Sequence, residues 1–252
     1  ASAFLGWIGA MLAAALVLLL GAAGVTPATG FLLMGALTLI LTMATMKVLP
    51  DFLVRFIGLL VTRLAYRIRV LGAEHVPMEG GALLVCNHAS WVDALLLQAT
   101  QQRRIRFIMD RDIYNTPMLT PLFRLMGVIP ISMRDSPKKI VASLRDARRA
   151  MDEGFMVCIF AEGAITRSGM PMAFKSGFEH IVKDSPYPII PVYLGGAWGS
   201  IFSYYFGRPL SHWPTMLRYP VTVIFGAPMP ATSASGEVRE AVLELSCLYY
   251  ND

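Results

Sequence analysis

The sequence predicts an α/β domain with a mostly parallel sheet flanked by helices, preceded by an N-terminal hydrophobic helical hairpin and an amphipathic helix. From residue 67 onward, short apolar runs alternate with helical patterns, which is typical of a mostly parallel sheet covered on both faces. No charged residue occurs before Lys47. We therefore expect three parts: residues 1–50 as the hairpin, 51–70 as an interfacial helix and 67–252 as the α/β domain.

The two apolar runs before Lys47 cover residues 4–23 and 30–49, with a turn at 24–29. Each is about as long as one bilayer crossing, so the hairpin either spans the bilayer or lies deep in one leaflet. A cleavable signal peptide fits poorly, because there is no basic start and a second apolar run follows. The chain does not begin with Met, which indicates a piece of a longer protein.

The composition points to a membrane surface and away from nucleic acid. Of 252 residues, 55% are hydrophobic, more than in an ordinary soluble domain. Residues 1–69 carry five basic side chains against Asp51 alone, whereas the other 183 residues carry 17 basic and 16 acidic ones. The basic cluster follows the second apolar run, so the positive-inside rule predicts that the α/β domain lies on the cytoplasmic side.

Residues 51–70 have the pattern of an amphipathic helix at an anionic membrane surface. Arg55, Thr62 and Arg63 share one side, and Phe56 and Leu60 lie largely on the other. A helix packed on its own domain is the alternative.

The three cysteines have no metal-ligand spacing. Cys86 and Cys158 lie in apolar runs and are expected to be core residues. We therefore predict a reducing compartment, no disulfide framework and no metal.

Hydrophobic periodicity predicts the elements of the α/β domain. The predicted strands are 67–71, 82–87, 105–109, 128–132, 155–160, 189–194 and 221–225, and the predicted helices are 90–100, 117–126, 136–153, 175–183 and 236–249. Residues 196–220, rich in Gly, Trp, Tyr and Pro, are expected to form a loop over the site or a lipid-contacting flap.

The main candidate site follows the strand at 82–87. Four apolar residues run into Asn87, and His88 and Asp93 follow. A buried strand that ends in polar residues before a helix is where open α/β sheets place their active sites. An imidazole held by a carboxylate is a general base for a hydroxyl. Ser90 is expected to cap the helix, with Asp93 completing a capping box. A purely structural pair is the alternative, since His180 also has an acidic residue nearby.

Two further strand ends carry candidate site residues. The strand at 128–132 leads to Arg134, and the strand at 155–160 leads to Glu162 and then Arg167. Forked Arg donors suit phosphate, and a carboxylate after an apolar strand needs a partner.

Taken together, these stretches resemble the glycerolipid acyltransferase family. Its His-x4-Asp block is matched by residues 87–93, and the three later blocks are matched by 127–134, 160–163 and 190–192. The resemblance covers roughly residues 67–230. Four blocks in the family's order favour a catalytic role for His88.

The third block departs from the family pattern. Ala161 stands where the family has Pro, and Ile165 stands where it has Arg, with Arg167 two residues further on. The form seen at 162–169 resembles the acyltransferase part of bacterial fused 2-acylglycerophosphoethanolamine acyltransferase/acyl-ACP synthetases. Fused or adjacent transporter and synthetase domains are therefore possible partners.

The resemblance implies a mechanism without cofactor, metal or covalent intermediate. His88, oriented by Asp93, would take the proton from a lysophospholipid hydroxyl that attacks an acyl thioester of acyl carrier protein or CoA. Backbone amides and the helix N-terminus near Ser90 would stabilise the oxyanion. The acceptor would be bound by the remaining site residues: Asn87, Ser90, Arg134, Glu162, Gly163 and Arg167. Ser90 as a nucleophile is the alternative, but no Gly-x-Ser-x-Gly motif surrounds it.

Three functions remain open at this stage. The first is acylation of lysophosphatidylethanolamine or a similar lipid in phospholipid repair. The second is acylation of lysophosphatidic acid to phosphatidic acid, and the third is a non-enzymatic lipid-binding or transporter-accessory module. For the enzyme, we expect the bacterial inner membrane with the catalytic domain on its cytoplasmic face.

Overall fold

The computed structural model describes residues 26–48 and 50–250, together with residues 11, 14–15, 21–22 and 24. The chain divides into two compact units, Ala1–Leu53 and Val54–Asp252.

The first unit contains helix α1 (Pro27–Val48), which corresponds to the second predicted apolar helix. Most of its described side chains are exposed. The first predicted helix, 4–23, lies largely outside the described residues, so the hairpin is not confirmed. Among the described residues, no helix combines the length and hydropathy needed to cross a membrane.

Helix α2 (Pro50–Ala65) ends earlier than the predicted helix 51–70, because the chain from Tyr66 pairs as a strand. Its apolar side is turned outward, where five large apolar side chains are 48–66% exposed: Phe56, Ile57, Leu60, Val61 and Leu64. On the polar side, Thr62 is buried and Arg55 donates to the carbonyl of Gln102 (2.6 Å). The helix thus turns part of its polar side toward the α/β domain.

All seven predicted strands are present in the second unit. They are β1 (Tyr66–Leu71), β2 (Ala82–Cys86), β3 (Ile105–Asp110), β4 (Ile129–Ile131), β5 (Met156–Phe160), β6 (Ile189–Gly195) and β7 (Tyr219–Phe225). The order across the sheet is β1-β7-β6-β2-β5-β3-β4. Every neighbouring pair is parallel except β6 and β7, so the mostly parallel sheet is confirmed.

The helices follow the prediction apart from shorter ends and two larger differences. They are α3 (Asp93–Gln98), α4 (Arg111–Tyr114), α5 (Thr120–Leu125), α6 (Pro137–Asp152), α7 (Glu179–Val182) and α8 (Ser235–Tyr250). Helix α4 was not predicted, since four residues are too short for a periodic pattern. The predicted helix 175–183 is a 3₁₀ turn, Ser176–Phe178, followed by α7.

Both faces of the sheet are covered. Side chains alternate along a strand, and in β2 Leu84 and Cys86 belong to one buried cluster whereas Leu83 and Val85 belong to another. Both clusters continue into helices, so β2 is buried throughout. This central strand delivers the candidate site residues to the carboxyl edge of the sheet.

Candidate active site

Asn87 extends the pairing of β2 with β6 beyond the last strand residue. Its side-chain carbonyl accepts from the N–H of Leu194 (2.7 Å), and its amide group donates to the Leu194 carbonyl (3.0 Å). The buried side chain therefore imitates a backbone peptide group. Both polar atoms of the side chain are bound within the protein, so Asn87 ties the end of β2 to β6, and its role in acceptor binding stays a prediction.

The backbone of His88 is held on both sides by the loop that follows β5. Its N–H donates to Oε1 of Glu162 (3.0 Å), and its carbonyl accepts from the N–H of Thr166 (2.9 Å). This arrangement follows from the sheet register, in which Cys86 of β2 lies beside Phe160 of β5.

The imidazole of His88 is fixed by two further contacts. Its Nδ1 lies 2.8 Å from Oδ2 of Asp93, and its ring stacks on Phe160 with centroids 4.1 Å apart and planes 15° apart. Phe160 in turn stacks on Phe107. The His88 side chain is 20% exposed, so the ring is oriented by the protein and still accessible.

The carboxylate of Asp93 is fully buried and surrounded by donors. The N–H groups of Ala89 (2.7 Å) and Ser90 (2.9 Å) donate to Oδ2, and the Ser90 hydroxyl donates to Oδ1. A carboxylate placed among three protein donors acts as an acceptor, so Nδ1 of His88 supplies the proton of their bond. In the neutral ring, Nε2 then carries the free lone pair.

The surroundings of Ser90 differ from the prediction in two ways. Helix α3 begins at Asp93, and the Ser90 hydroxyl donates to Asp93 instead of accepting a cap bond. The expected oxyanion donors are also occupied, because the N–H groups of Ala89 and Ser90 bind Asp93 and that of Trp91 binds the Phe202 carbonyl (3.1 Å). The N–H groups of Ala89, Ser90 and Trp91 are therefore not free to stabilise an oxyanion in this structure, and a role of the helix N-terminus stays a prediction.

Glu162, which follows Ala161 within the third block, is buried. Burial raises the pKa of its carboxyl group, and the N–H groups of His88 and Met172 act in the opposite direction. Its Oε2 has no hydrogen-bond partner of normal geometry in the described part of the chain. Glu162 thus supports the backbone of His88.

Gly163 follows with a left-handed backbone, φ 71°, which glycine adopts without steric cost. The side chain of Lys175 occupies the space beside it. A Cβ at Gly163 would lie 2.6 Å from Nζ of Lys175.

Arg167 packs on the segment after β6. Its guanidinium lies 4.5 Å from the centroid of the Tyr204 ring, a cation–π contact. Trp198 also covers the loop at Gly169, where a Cβ would lie 2.7 Å from the indole nitrogen. The first part of segment 196–220 therefore packs over the site loop, whereas Trp213 and Leu217 are at least 90% exposed.

Arg134 lies after β4, the edge strand of the sheet. Its side chain is 89% exposed and pairs with Asp112 at 3.5 Å, which is 72% exposed. Within the described part of the chain, neither residue forms a hydrogen bond or ion pair with His88, Asp93 or Glu162. The phosphate-binding role of Arg134 stays a prediction.

Cys86 and Cys158 are core residues as predicted, whereas Cys247 is exposed. Cys86 and Cys158 are free and buried, and burial raises the pKa of the Cys86 thiol. Among the described residues, no three His, Cys, Asp or Glu side chains cluster as metal ligands would.

Three contacts of the site were not predicted from the sequence: the stacking of Phe160 on His88, the bond from Thr166, and the position of Lys175. Phe160 could have been found, since it belongs to the third block. Lys175 follows Glu162 by 13 residues without a regular pattern between them, so no local signal connects the two.

Comparisons with known proteins agree on one family. The Acyltransferase family matches residues 67–195. A 1-acyl-sn-glycerol-3-phosphate acyltransferase of Limnanthes douglasii is 30% identical over 140 residues, 55% of this chain and 49% of that protein. Proteins with the same description from Borreliella burgdorferi and Bacillus subtilis are 27% and 22% identical over 128 and 130 residues, 51% of this chain in each case and 51% and 63% of those proteins.

The fold is also similar to that of a solved structure. The crystal structure of the 1-acyl-sn-glycerophosphate (LPA) acyltransferase PlsC from Thermotoga maritima matches with a TM-score of 0.60 and 19% identity, covering 93% of each chain. By contrast, the match spans about half the length of the Limnanthes protein.

Proposed function

The chain belongs to the glycerolipid acyltransferase family, and we propose that it transfers a fatty acyl group from a thioester to the free hydroxyl of 1-acylglycerol 3-phosphate. The observation that carries this proposal is the His88–Asp93 pair at the carboxyl end of the central strand β2. The ring is oriented through Nδ1 and is 20% exposed. It therefore has the geometry of a general base.

In the proposed reaction, Nε2 of His88 accepts the proton of the acceptor hydroxyl while the oxygen attacks the thioester carbonyl carbon. The tetrahedral intermediate collapses with cleavage of the C–S bond, and the leaving thiolate takes the proton back from His88. The carboxylate of Asp93 stabilises the transient imidazolium through the bond to Nδ1. Phe160 and the backbone bonds of His88 hold the ring in place.

Ser90 is not used as a nucleophile in this proposal. Its hydroxyl is fully buried and donates to Asp93. The residue instead helps to orient the carboxylate that orients His88.

The choice of acceptor rests on the relatives, which are described as 1-acyl-sn-glycerol-3-phosphate acyltransferases. They favour lysophosphatidic acid over lysophosphatidylethanolamine, the acceptor implied by the pattern at residues 162–169. That pattern, with Ile165 in place of an Arg, keeps lysophosphatidylethanolamine as the second candidate. Acyl-CoA or acyl-ACP would supply the acyl group.

We further propose that helix α2 contacts the membrane that contains the acceptor. Its five outward apolar side chains and the nearby Arg63 and Arg67 suit the surface of an anionic bilayer. For a bacterial enzyme of this kind, the proposed location is the cytoplasmic face of the inner membrane.

An acyl-transfer assay tests the proposed function. Purified protein would be given acyl-CoA or acyl-ACP and, in separate reactions, lysophosphatidic acid and lysophosphatidylethanolamine. We expect phosphatidic acid as the main product and a rate loss of about 10²- to 10⁴-fold in His88→Ala. His180→Ala is the matched control, since His180 is an exposed histidine on α7, and it should keep the wild-type rate.

The possible results separate the candidates. A clear preference for lysophosphatidylethanolamine would replace the proposed acceptor with the second one. Equal rates in wild type and His88→Ala would refute the catalytic role of His88. A wild-type protein that binds lysolipid but acylates none of the acceptors with either donor would indicate a non-enzymatic module.

A further inference from the structure

The ammonium group of Lys175 lies directly beside the loop that holds His88. A Cβ at Gly163 would lie 2.6 Å from Nζ of Lys175, 2.9 Å from Cε and 3.1 Å from Cδ. The end of the lysine side chain therefore passes across the open face of the glycine. Gly163 follows Glu162, whose carboxylate binds the N–H of His88.

The segment that carries Lys175 is anchored on both sides of it. The N–H of Lys175 donates to the carbonyl of Ala161 (2.9 Å). Before it, the carbonyl of Met172 accepts from Nε of Arg239 (2.9 Å). After it, Phe178 is completely buried. The backbone at Lys175 is thus held next to the third block by contacts that do not involve its charge.

Among the described residues, the charge of Lys175 has no partner of opposite sign. The residue is exposed, and within the part of the chain that the structure describes, no carboxylate forms an ion pair with it. Of the two arginines expected to bind phosphate, Arg134 pairs with Asp112 at the edge of the sheet and Arg167 contacts the ring of Tyr204. Ile165 supplies no charge at the position between Glu162 and Arg167.

We propose that the ammonium of Lys175, lying over Gly163, is the cation that binds the phosphate of the acceptor lipid. Gly163 contributes by leaving the space that a side chain would fill. A lysine ammonium is a compact point charge with three donors, suited to a terminal phosphate. This assignment rests on the proposed acyl transfer and adds to it the residue that reads the headgroup.

The chemistry of the site also predicts a preference. The phosphate monoester of lysophosphatidic acid carries more negative charge than the phosphodiester of lysophosphatidylethanolamine. The diester also brings an ammonium of its own, which a lysine repels. Lys175 should therefore favour the monoester.

The first test compares Lys175→Met, Lys175→Arg and the control Lys139→Met, which removes an exposed lysine on α6. In Lys175→Met we expect KM for lysophosphatidic acid to rise about 10- to 100-fold, the range for losing a charge-assisted hydrogen bond. KM for the acyl donor and kcat at saturating acceptor should change less than about threefold, because His88 and its partners are untouched. Lys175→Arg should recover most of the affinity, and Lys139→Met should behave as wild type.

A second test moves the charge without removing it. In Gly163→Ala the new methyl group would meet the flexible end of Lys175 and displace the ammonium. We expect this variant to raise KM for lysophosphatidic acid as well. Combining it with Lys175→Met should add little, since both changes act on the same contact. Circular dichroism and thermal unfolding would verify that each variant is folded.

The outcomes distinguish this inference from the proposed function. A wild type that transfers no acyl group would refute the proposed function itself. An active wild type with an unchanged acceptor KM in Lys175→Met would refute only the role of Lys175. An increase confined to the KM of acyl-CoA would assign the lysine to a donor phosphate and overturn the proposal.

Discussion

The carboxyl ends of β2 and β4 look alike in the sequence but differ in the structure. Each is an apolar strand followed by polar residues that suit a catalytic or phosphate site, His88 after β2 and Arg134 after β4. After β2, the imidazole, the carboxylate and four consecutive backbone N–H groups all have protein partners. After β4, the side chain of Arg134 has one exposed partner among the described residues, Asp112.

The difference follows from the position of each strand in the sheet. Strand β2 lies between β5 and β6, so residues from both neighbours reach its carboxyl end. Glu162 and Thr166 come from the loop after β5, and Leu194 comes from β6. Among the described strands, β4 has a neighbour on one side only. A preorganised site needs groups from several elements, and the central strand end provides them.

Replacing Asp93 by Asn should give the largest effect, because it removes the charge from the β2 site and preserves its shape. The amide oxygen can accept from the three N–H donors now at Oδ2, and the amide nitrogen can donate to the Ser90 hydroxyl. We expect acyl transfer to fall about 10²- to 10⁴-fold. The free energy of unfolding should change by less than about 1.5 kcal/mol. Steady-state rates and denaturant unfolding would measure the two quantities.

Ser90→Ala is the companion variant for Asp93→Asn. It removes one donor to the same carboxylate and retains the charge, so we expect a rate loss below about tenfold. If Asp93→Asn were as active as wild type, the carboxylate would have only a structural role. The buried hydrogen bonds at the β2 end would then not indicate catalysis.

Changes at Glu162 should give an intermediate effect. They separate two roles of this side chain, accepting the hydrogen bond from the N–H of His88 and carrying a charge. Glu162→Ala leaves the N–H of His88 without its acceptor, which costs about 1–3 kcal/mol of stability and should lower kcat. Glu162→Gln keeps an acceptor oxygen and should lower kcat much less. An equal loss in both variants would instead assign the effect to the charge of the carboxylate.

The free energy of unfolding should depend on pH differently in wild type and in Glu162→Gln. The pKa of Glu162 is raised by burial, so the folded state holds this proton more tightly than the unfolded state. Above the ordinary pKa of a glutamate, the contribution of Glu162 to stability should therefore decrease as the pH rises through the raised value. Glu162→Gln cannot titrate and should lack this component. Urea unfolding of both proteins over a pH series would measure it.

Most of the sheet could be predicted from the sequence, because each strand is a short apolar run that has to be buried. The His88–Asp93 pair could be predicted as well, since both residues belong to one local pattern. The strand order could not be read from the chain. It decides that Glu162 reaches His88, whereas Arg134 forms no hydrogen bond or ion pair with His88 in the described structure. Lys175 was missed for the same reason, because tertiary packing alone brings it to Gly163.

Arg134→Gln should give the smallest effect and is the most direct test of the comparison. If Arg134 bound the acceptor phosphate, as its position at a strand end predicts, the variant would raise KM for lysophosphatidic acid as strongly as Lys175→Met. Because Arg134 is 89% exposed and paired only with an exposed Asp112 in the described structure, we expect a change below about twofold, in line with the small energies of surface ion pairs. Asp112→Asn, which breaks the same pair from the other side, is the control and should behave alike. A large increase of this KM in Arg134→Gln alone would show that the β4 end takes part in acceptor binding. A residue would then not need to follow a central strand to act in this site.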